Sequence, residues 1–237
     1  MDERRISVRH TGAVYTPTEV ATAIVERCSS LLDASRLNVL EPSVGDGAFL
    51  SGLTGIEGLS VRVTAIDVDE EVILELKHRY HNQKDALSFV AGDFVQYAID
   101  RLDEGSSDEK FNLIVGNPPF IRRHNFSDSL KESIDRFACA YGYPLSRLKN
   151  TWPAFLVASA KLVSDDGVVA LVLPYEVLTV DYGQKVLNYI QNDFERVDIF
   201  VSTQKAFPEI DQDAILLIAQ KNSQKGSGLY ISKVTDF

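Results

Sequence analysis

The stretch Leu40-Glu41-Pro42-Ser43-Val44-Gly45-Asp46-Gly47-Ala48-Phe49-Leu50 decides the fold. An aliphatic run, Leu37 to Glu41, enters it, two glycines make a tight turn, and an apolar helical pattern leaves it; strand, glycine turn and helix in that order are the start of an α/β unit. The turn is similar to a dinucleotide-binding loop but fails its spacing, because Phe49 and Leu50 follow where a third glycine is needed. It also carries Glu41 and Asp46, whose charges repel a pyrophosphate seated on a helix N-terminus. A phosphate ligand is disfavoured.

The same alternation extends along the chain. Strand-like runs at Leu37 to Glu41, Val61 to Asp67, Leu87 to Val90, Phe111 to Gly116 and Val168 to Pro174 are separated by amphipathic stretches, which implies β-α-β units and a parallel sheet. The helical stretches are Thr18 to Leu32, Ala48 to Leu53, Glu70 to Tyr80, Phe94 to Leu102, Pro153 to Val163 and Tyr182 to Asn192. Pro17 suits the first turn of the first helix, with Thr16 as its N-cap. Two further runs, Arg196 to Val201 and Asp213 to Gln220, are joined by a loop containing Phe207 and Pro208, a direct connection that makes the last strand antiparallel. The expectation is one α/β domain over residues 1–237, with a mixed seven-stranded, Rossmann-like sheet and helices on both faces. Leu229 to Phe237 reads as the start of another strand.

Composition sets the outer limits. At 237 residues, 45% hydrophobic and 24% charged, the chain fits one ordinary globular domain. No apolar run approaches the roughly 20 residues of a membrane span, and Met1 to His10 lacks the apolar core of a secretory signal, so a cytoplasmic protein with no membrane partner is expected. Cys28 and Cys139 are isolated thiols that indicate neither a disulfide framework nor a zinc site. His78 and His81 have no acidic or Cys partner in register, so no metal is expected. Glu104 to Lys110 reads as a solvated loop. The net charge of -10 is the wrong sign for holding a polyanion, but the 120–150 insertion is basic. From Ile121 to Asn150 it carries Arg122, Arg123, Lys131, Arg136, Arg147 and Lys149 against Asp128, Glu132 and Asp135. It is long for a connection in a compact domain, as functional loops are.

In open α/β sheets the ligand lies beyond the carboxyl ends of the strands, and here those ends are acidic. S-adenosylmethionine, with a sulfonium, an ammonium and a ribose diol but no phosphate, suits such a crevice. Asp67, followed by Val68, ends the second strand, where a carboxylate accepts both ribose hydroxyls. Asp93-Phe94 follows the third, where Asp93 accepts from an adenine amino group and Phe94 covers the ring. Any single Asp here is equally an ordinary helix N-cap; three at successive strand ends are harder to assign to capping alone.

The fourth strand runs into Asn117-Pro118-Pro119-Phe120. Two prolines stiffen the backbone and remove N–H donors, so the corner cannot close a hydrogen-bonded turn on itself. The Pro118 carbonyl is left facing outward beside the Asn117 side chain. Two such acceptors can take both hydrogens of a conjugated amine and turn its lone pair toward a methyl donor, catalysis by positioning and by stabilising developing charge. Phe120 stacks on the planar target. A base in a duplex reaches such a site only by flipping out between aromatic walls, and Phe207 is the candidate second wall, with a core phenylalanine as its alternative reading.

At this point the chain resembles the class I methyltransferases, and within them the gamma-class adenine-N6 DNA methyltransferases of restriction-modification systems, the TaqI-like and Eco57I-like group. The resemblance covers Gly12 to about Gln220. Gly12 to Ala21, with Tyr15, Thr16 and Pro17, is similar to motif X, and its place before the cofactor loop marks the gamma order. Glu41 to Phe49 is similar to motif I, Asp67 to motif II, Asp93-Phe94 to motif III and Asn117 to Phe120 to motif IV. The resemblance implies methionine-end contacts from Glu41, Ser43, Gly45, Asp46 and Gly47, ribose and adenine contacts from Asp67, Val68, Asp93 and Phe94, and cofactor contacts from Asn117 and Pro119. Within Asn150-Thr151-Trp152-Pro153-Ala154-Phe155, Phe155 is implied to bury the cofactor's adenine, and Phe207 falls at the motif VIII aromatic. Arg122, Arg123 and Lys149 are the expected contacts to double-stranded DNA.

Phe120 stands where the family more often has Tyr. Family members also carry a target-recognition domain after the last strand; its expected place is beyond residue 237, or specificity comes from a partner, with a cognate restriction or defence subunit possible. The isolated chain is then expected to bind cofactor and to methylate DNA weakly. The same tetrapeptide also serves methyltransferases of release-factor glutamine and of guanine in ribosomal RNA, and a non-catalytic cofactor-binding subunit of a defence complex is a further alternative. Motif X before the cofactor loop and an intact Asn117 to Phe120 favour the DNA enzyme.

Overall fold

The computed structural model describes residues 16–32, 35–56, 58–105, 110–142, 148–203 and 213–235. Helix α1 (Thr18–Ser29) precedes strand β1 (Arg36–Glu41), and then α2 (Ala48–Thr54), β2 (Ser60–Asp67), α3 (Glu70–Arg79), β3 (Leu87–Ala91), α4 (Phe94–Asp103) and β4 (Phe111–Gly116) alternate. Helices α5 (Asp128–Tyr141) and α6 (Trp152–Leu162) lead into β5 (Val163–Pro174), followed by α7 (Asp181–Asp193), β6 (Arg196–Ser202), β7 (Ala214–Gln220) and β8 (Gly228–Val234).

The strands form one sheet in the order β3-β2-β1-β4-β5-β7-β6-β8. The expected antiparallel strand is β7, which pairs antiparallel with both β5 and β6. The sheet has eight strands where seven were expected. The segment read as the start of another strand pairs parallel with β6 from Arg196 to Ser202, and the Arg196 guanidinium lies 4.0 Å over the Tyr230 ring. Strand β8 is therefore the last strand among the described residues, and it is parallel to its neighbour.

Both sheet faces are buried because successive strand residues point to opposite sides. Leu37, Val39, Val63, Ala65, Leu113 and Val115 pack under α1, α2 and α3. Leu40, Ile66, Ile114, Val169 and Leu171 pack under α4, α5, α6 and α7. Helix α6 is apolar nearly all round and buried at every position but Lys161, as a helix enclosed by neighbours must be.

The basic segment is not simply a loop. Its centre is α5, capped by Ser127, whose hydroxyl accepts from the Leu130 N–H at 3.1 Å, and ended by Gly142 in the left-handed region at φ +75°. Ile134 and Phe137 bury its inner face. Among the described residues no helix is long and apolar enough to cross a membrane.

Candidate active site

The first four strands deliver their carboxyl ends to one rim. After β1 the chain turns through Gly45 (φ +51°) and Gly47 (φ +85°), conformations that residues with a Cβ rarely adopt. The turn is held by Val44 N–H to the Ile66 carbonyl (2.8 Å) and Gly47 N–H to the Val44 carbonyl (3.0 Å). Asp67, at the end of β2, accepts from Gly45 N–H on one oxygen (2.9 Å) and from Asp69 N–H on the other (3.0 Å). It braces the loop, and each of its oxygens keeps a second lone pair for a ligand. A Cβ on Gly47 would sit 3.0 Å from Leu76 Cδ2, so Gly47→Ala is expected to destabilise the fold by about 1–2 kcal/mol; a melting temperature equal to wild type would contradict this.

Glu41 is the unusual group. Its side chain is fully buried at the end of β1 and neither carboxylate oxygen has a hydrogen-bond partner among the described residues. Burial, with Asp46 and Asp67 nearby, holds its pKa well above the usual carboxylate range. A buried, unpaired carboxylate is costly unless it takes up a proton or something cationic or hydrogen-bonding meets it, so the position suits the positive end of a ligand. Asp46, at the lip, is raised in the same direction by partial desolvation against the Ala48 N–H. Val68, beside Asp67, is 79% exposed, an apolar surface open on the rim.

Asp93 caps α4, accepting from Gln96 N–H at 2.7 Å, so the capping role left open by the sequence is real. Burial nonetheless raises its pKa. Phe94 and Phe155 are nearly fully buried with ring centroids 5.0 Å apart, so the two aromatics assigned to the adenine end form one packed pair.

The Asn117-to-Phe120 corner leaves β4 at Gly116, where a Cβ would lie 3.2 Å from Pro42 Cδ; only a residue without a side chain lets the two strand ends pass so closely. Asn117 Nδ2 donates to Thr16 Oγ1 at 3.2 Å. This corrects the Thr16 reading as an N-cap: Pro17 holds the cap position with no side-chain hydrogen bond, and the Thr16 hydroxyl faces Asn117. The Asn117 carbonyl accepts from the Ser43 hydroxyl at 2.9 Å. The Pro119 carbonyl accepts from the Thr151 hydroxyl, which itself accepts from Ile121 N–H at 3.1 Å. Between these two tied carbonyls, that of Pro118 has no hydrogen-bond partner among the described residues. Phe120 is half-buried and packs against the core below it.

A short antiparallel contact then joins the corner to the segment before α6. Arg122 pairs with Asn150, Thr151 N–H donates to the Ile121 carbonyl and Arg123 N–H to the Lys149 carbonyl. Exposed Arg122 and Lys149 and half-buried Arg123 are thereby brought together at the corner's edge. Tyr15 and Phe207 lie outside the described residues. His78 and His81 are exposed, with His81 Nδ1 3.0 Å from the His78 carbonyl oxygen.

Two residues of the site went unassigned from sequence, Thr151 and Glu176. Glu176 Oε1 accepts from Asn150 Nδ2 (3.2 Å), Trp152 Nε1 (2.9 Å) and Tyr182 OH (2.8 Å). It follows Pro174 at the end of β5, and reading the fifth strand end as the first four were read would have drawn attention to it.

Comparison with known proteins agrees with this geometry. The chain is 24% identical over 217 residues to the type II methyltransferase M.BanIII of Aneurinibacillus aneurinilyticus, covering 84% of this chain and 36% of that protein. It is 31% identical over 159 residues to the tRNA1(Val) (adenine(37)-N6)-methyltransferase of Parabacteroides distasonis, covering 66% and 56% of the two. A Listeria monocytogenes structure assigned as a class I S-adenosylmethionine-dependent methyltransferase superposes with a TM-score of 0.70 at 13% identity, over 93% of this chain and 66% of that one. The chain spans about a third to a half of the length of the type II methyltransferases it matches. The fold is that of the class I methyltransferases, and the unpartnered Glu41 carboxylate fits the cationic end of their cofactor, S-adenosylmethionine. Residues 59–207 match the Eco57I restriction-modification methylase family, and the chain belongs to that family.

Proposed function

We propose that this chain is the catalytic domain of a site-specific DNA methyltransferase acting on the N6 amino group of an adenine flipped out of the duplex. The observation that carries the reading is the corner at Asn117 and Pro118, where hydroxyls of Ser43 and Thr151 occupy the carbonyls on either side and leave the Pro118 carbonyl open.

S-adenosylmethionine, when bound, supplies a methyl group on a positively charged sulfur. Glu41 and Asp46 hold its cationic methionine end, with Ser43, Gly45 and Gly47 shaping the loop, and Asp67 takes the ribose hydroxyls. Asp93 meets the adenine amino group while Val68, Phe94 and Phe155 enclose the ring; Thr16 and Pro17 close the crevice from the N-terminal side. Asn117 and the Pro118 carbonyl accept the two hydrogens of the target amine, so its lone pair is freed from the ring and turned toward the methyl group. As the nitrogen–methyl bond forms the sulfur–methyl bond breaks, leaving the neutral thioether S-adenosylhomocysteine. Both acceptors stabilise the positive charge that develops on the nitrogen, its surplus proton then passes to solvent, and no strong base is needed at the bond-forming step. Phe120 stacks on the target base, with Phe207 as the opposite wall.

The adenine assignment draws on the Parabacteroides relative, whose name specifies adenine N6, and the DNA assignment on relatives named as type II methyltransferases. Arg122, Arg123 and Lys149 supply phosphate contacts.

The test is to react the natural gene product with duplex DNA and labelled S-adenosylmethionine and identify the methylated nucleoside by mass spectrometry. N6-methyldeoxyadenosine is expected. Label found only in N4-methyldeoxycytidine, in RNA or in a release-factor glutamine would overturn the reading. Arg122→Ala and Lys149→Ala should each weaken DNA binding in all sequence contexts and reduce the salt slope by about one, leaving the rate at saturating DNA unchanged; a salt slope equal to wild type in anisotropy titrations would remove them from the interface.

A further inference from the structure

The corner can work only if its peptide planes are fixed, and the prolines do not fix them alone. Proline sets φ and leaves ψ open, so the direction of the Pro118 carbonyl depends on what anchors the residues around it. Toward the N-terminus the anchor is Ser43 on the Asn117 carbonyl. Toward the C-terminus it is the fully buried Thr151, whose single hydroxyl donates to the Pro119 carbonyl and accepts from the Ile121 N–H. Its backbone N–H adds a third tie, to the Ile121 carbonyl at 3.1 Å. One hydroxyl thus satisfies a part-buried donor and a part-buried acceptor on opposite sides of Phe120, which valine, of the same shape, cannot do.

Thr151 is in turn held by its neighbours. Asn150 and Trp152 both donate to Glu176 Oε1, and Tyr182 donates to the same oxygen. Trp152 is fully buried and stacks on Tyr182, ring centroids 5.8 Å apart. The carboxylate therefore pins the start of α6, the start of α7 and the end of β5 to one point.

Resting on the catalytic reading above, we propose that Thr151 is a positioning residue for methyl transfer: its hydroxyl, held in register by Glu176, aims the Pro118 carbonyl at the target amine. Thr151→Val frees the Pro119 carbonyl and the Ile121 N–H, and the corner swings without losing any cofactor contact. Thr151→Ser keeps the hydroxyl. Glu176→Gln keeps an oxygen there but removes the negative charge that draws three donors onto it, so its hold on Asn150 and Trp152 weakens.

The experiment is single-turnover methyl transfer to adenine-containing duplex DNA by the natural gene product and its variants, beside calorimetric affinities for S-adenosylhomocysteine. Thr151→Val is expected to lower the transfer rate about 30-fold, as a misplacement well under 1 Å would, with KM for DNA and cofactor affinity within about threefold of wild type. Thr151→Ser should stay within about threefold of wild type and Glu176→Gln fall about 3- to 10-fold, on the same positional argument. A wild-type rate in Thr151→Val, equal impairment in Thr151→Ser, or a loss lying wholly in KM or cofactor affinity would overturn the proposal. If Thr151→Val does not fold, Glu176→Gln decides: a wild-type rate there overturns it. Wild type and Asn117→Ala run in parallel separate the two levels. Absence of methyladenine with wild type defeats the catalytic reading, whereas an active wild type, an inactive Asn117→Ala and an unimpaired Thr151→Val defeat only this inference.

Discussion

Asn117→Ala should lower methyl transfer by about a hundred- to a thousandfold, the loss that follows removal of one preorganised group facing developing charge. Affinity for S-adenosylhomocysteine should change only a few-fold. The side chain is half-buried, donates through Nδ2 to Thr16, and has its backbone carbonyl held by Ser43, so its amide oxygen is pointed by two independent segments, the residues that lead into α1 and the glycine loop after β1. Alanine keeps the Ser43 contact and the diproline backbone, which confines the damage to the missing acceptor. Single-turnover rates at saturating cofactor and DNA check this, because a binding defect would be overcome by concentration and a lost acceptor would not. A variant rate within tenfold of wild type would remove Asn117 from the chemistry.

The second large effect belongs to Glu41, and it runs in opposite directions with and without ligand. Glu41→Gln should weaken S-adenosylmethionine binding by about 10- to 100-fold, the order expected for a lost hydrogen bond to a charged group, while raising the melting temperature of the unliganded protein. Burial and the neighbouring Asp46 and Asp67 raise the Glu41 pKa well above 4.5, so the folded state binds more protons than the unfolded one between those two values. Stability from this group is complete below the unfolded pKa and is lost as pH rises through the folded pKa; Asp46 and Asp93, also raised by burial, act with the same sign. Cofactor affinity has the opposite slope, since the cationic ligand takes the ionised carboxylate. Below the raised Glu41 pKa, binding should therefore release a proton, measurable by calorimetry in buffers of different ionisation enthalpy, and Glu41→Gln should abolish most of that release. Unchanged affinity and an unchanged proton count would show that the carboxylate does not meet the ligand.

Much of this was legible in the sequence, for a physical reason. A buried parallel strand needs a nearly continuous aliphatic run, and here each of the first four such runs ends abruptly in acid, glycine or the Asn-Pro-Pro corner, so strand ends and site residues came together. Helix α5 was missed because its apolar positions Ile134 and Phe137 lie among charges of both signs, and the basic excess drew the reading instead. Strand β8 is exposed along most of its length, so it carries little of the alternation that reveals a half-buried strand; its partner β6 and the Arg196–Tyr230 stack supply what pattern does not. Thr16 was misread because a Thr before Pro at a helix start has a sufficient local explanation, whereas its actual partner lies 101 residues away. Thr151 leaves no local trace and Glu176 only its place after Pro174 at the fifth strand end, since the contacts that tie them to the corner and to α6 span 24 to 32 residues.

The most direct measurement is a structure of the protein with S-adenosylhomocysteine and duplex DNA containing its target site. The adenine N6 nitrogen should lie within about 3.2 Å of both the Asn117 side-chain oxygen and the Pro118 carbonyl, with the cofactor's ammonium or sulfur end over Glu41. An amine bound to neither oxygen, or a crevice that seats the cofactor away from Glu41, would contradict it.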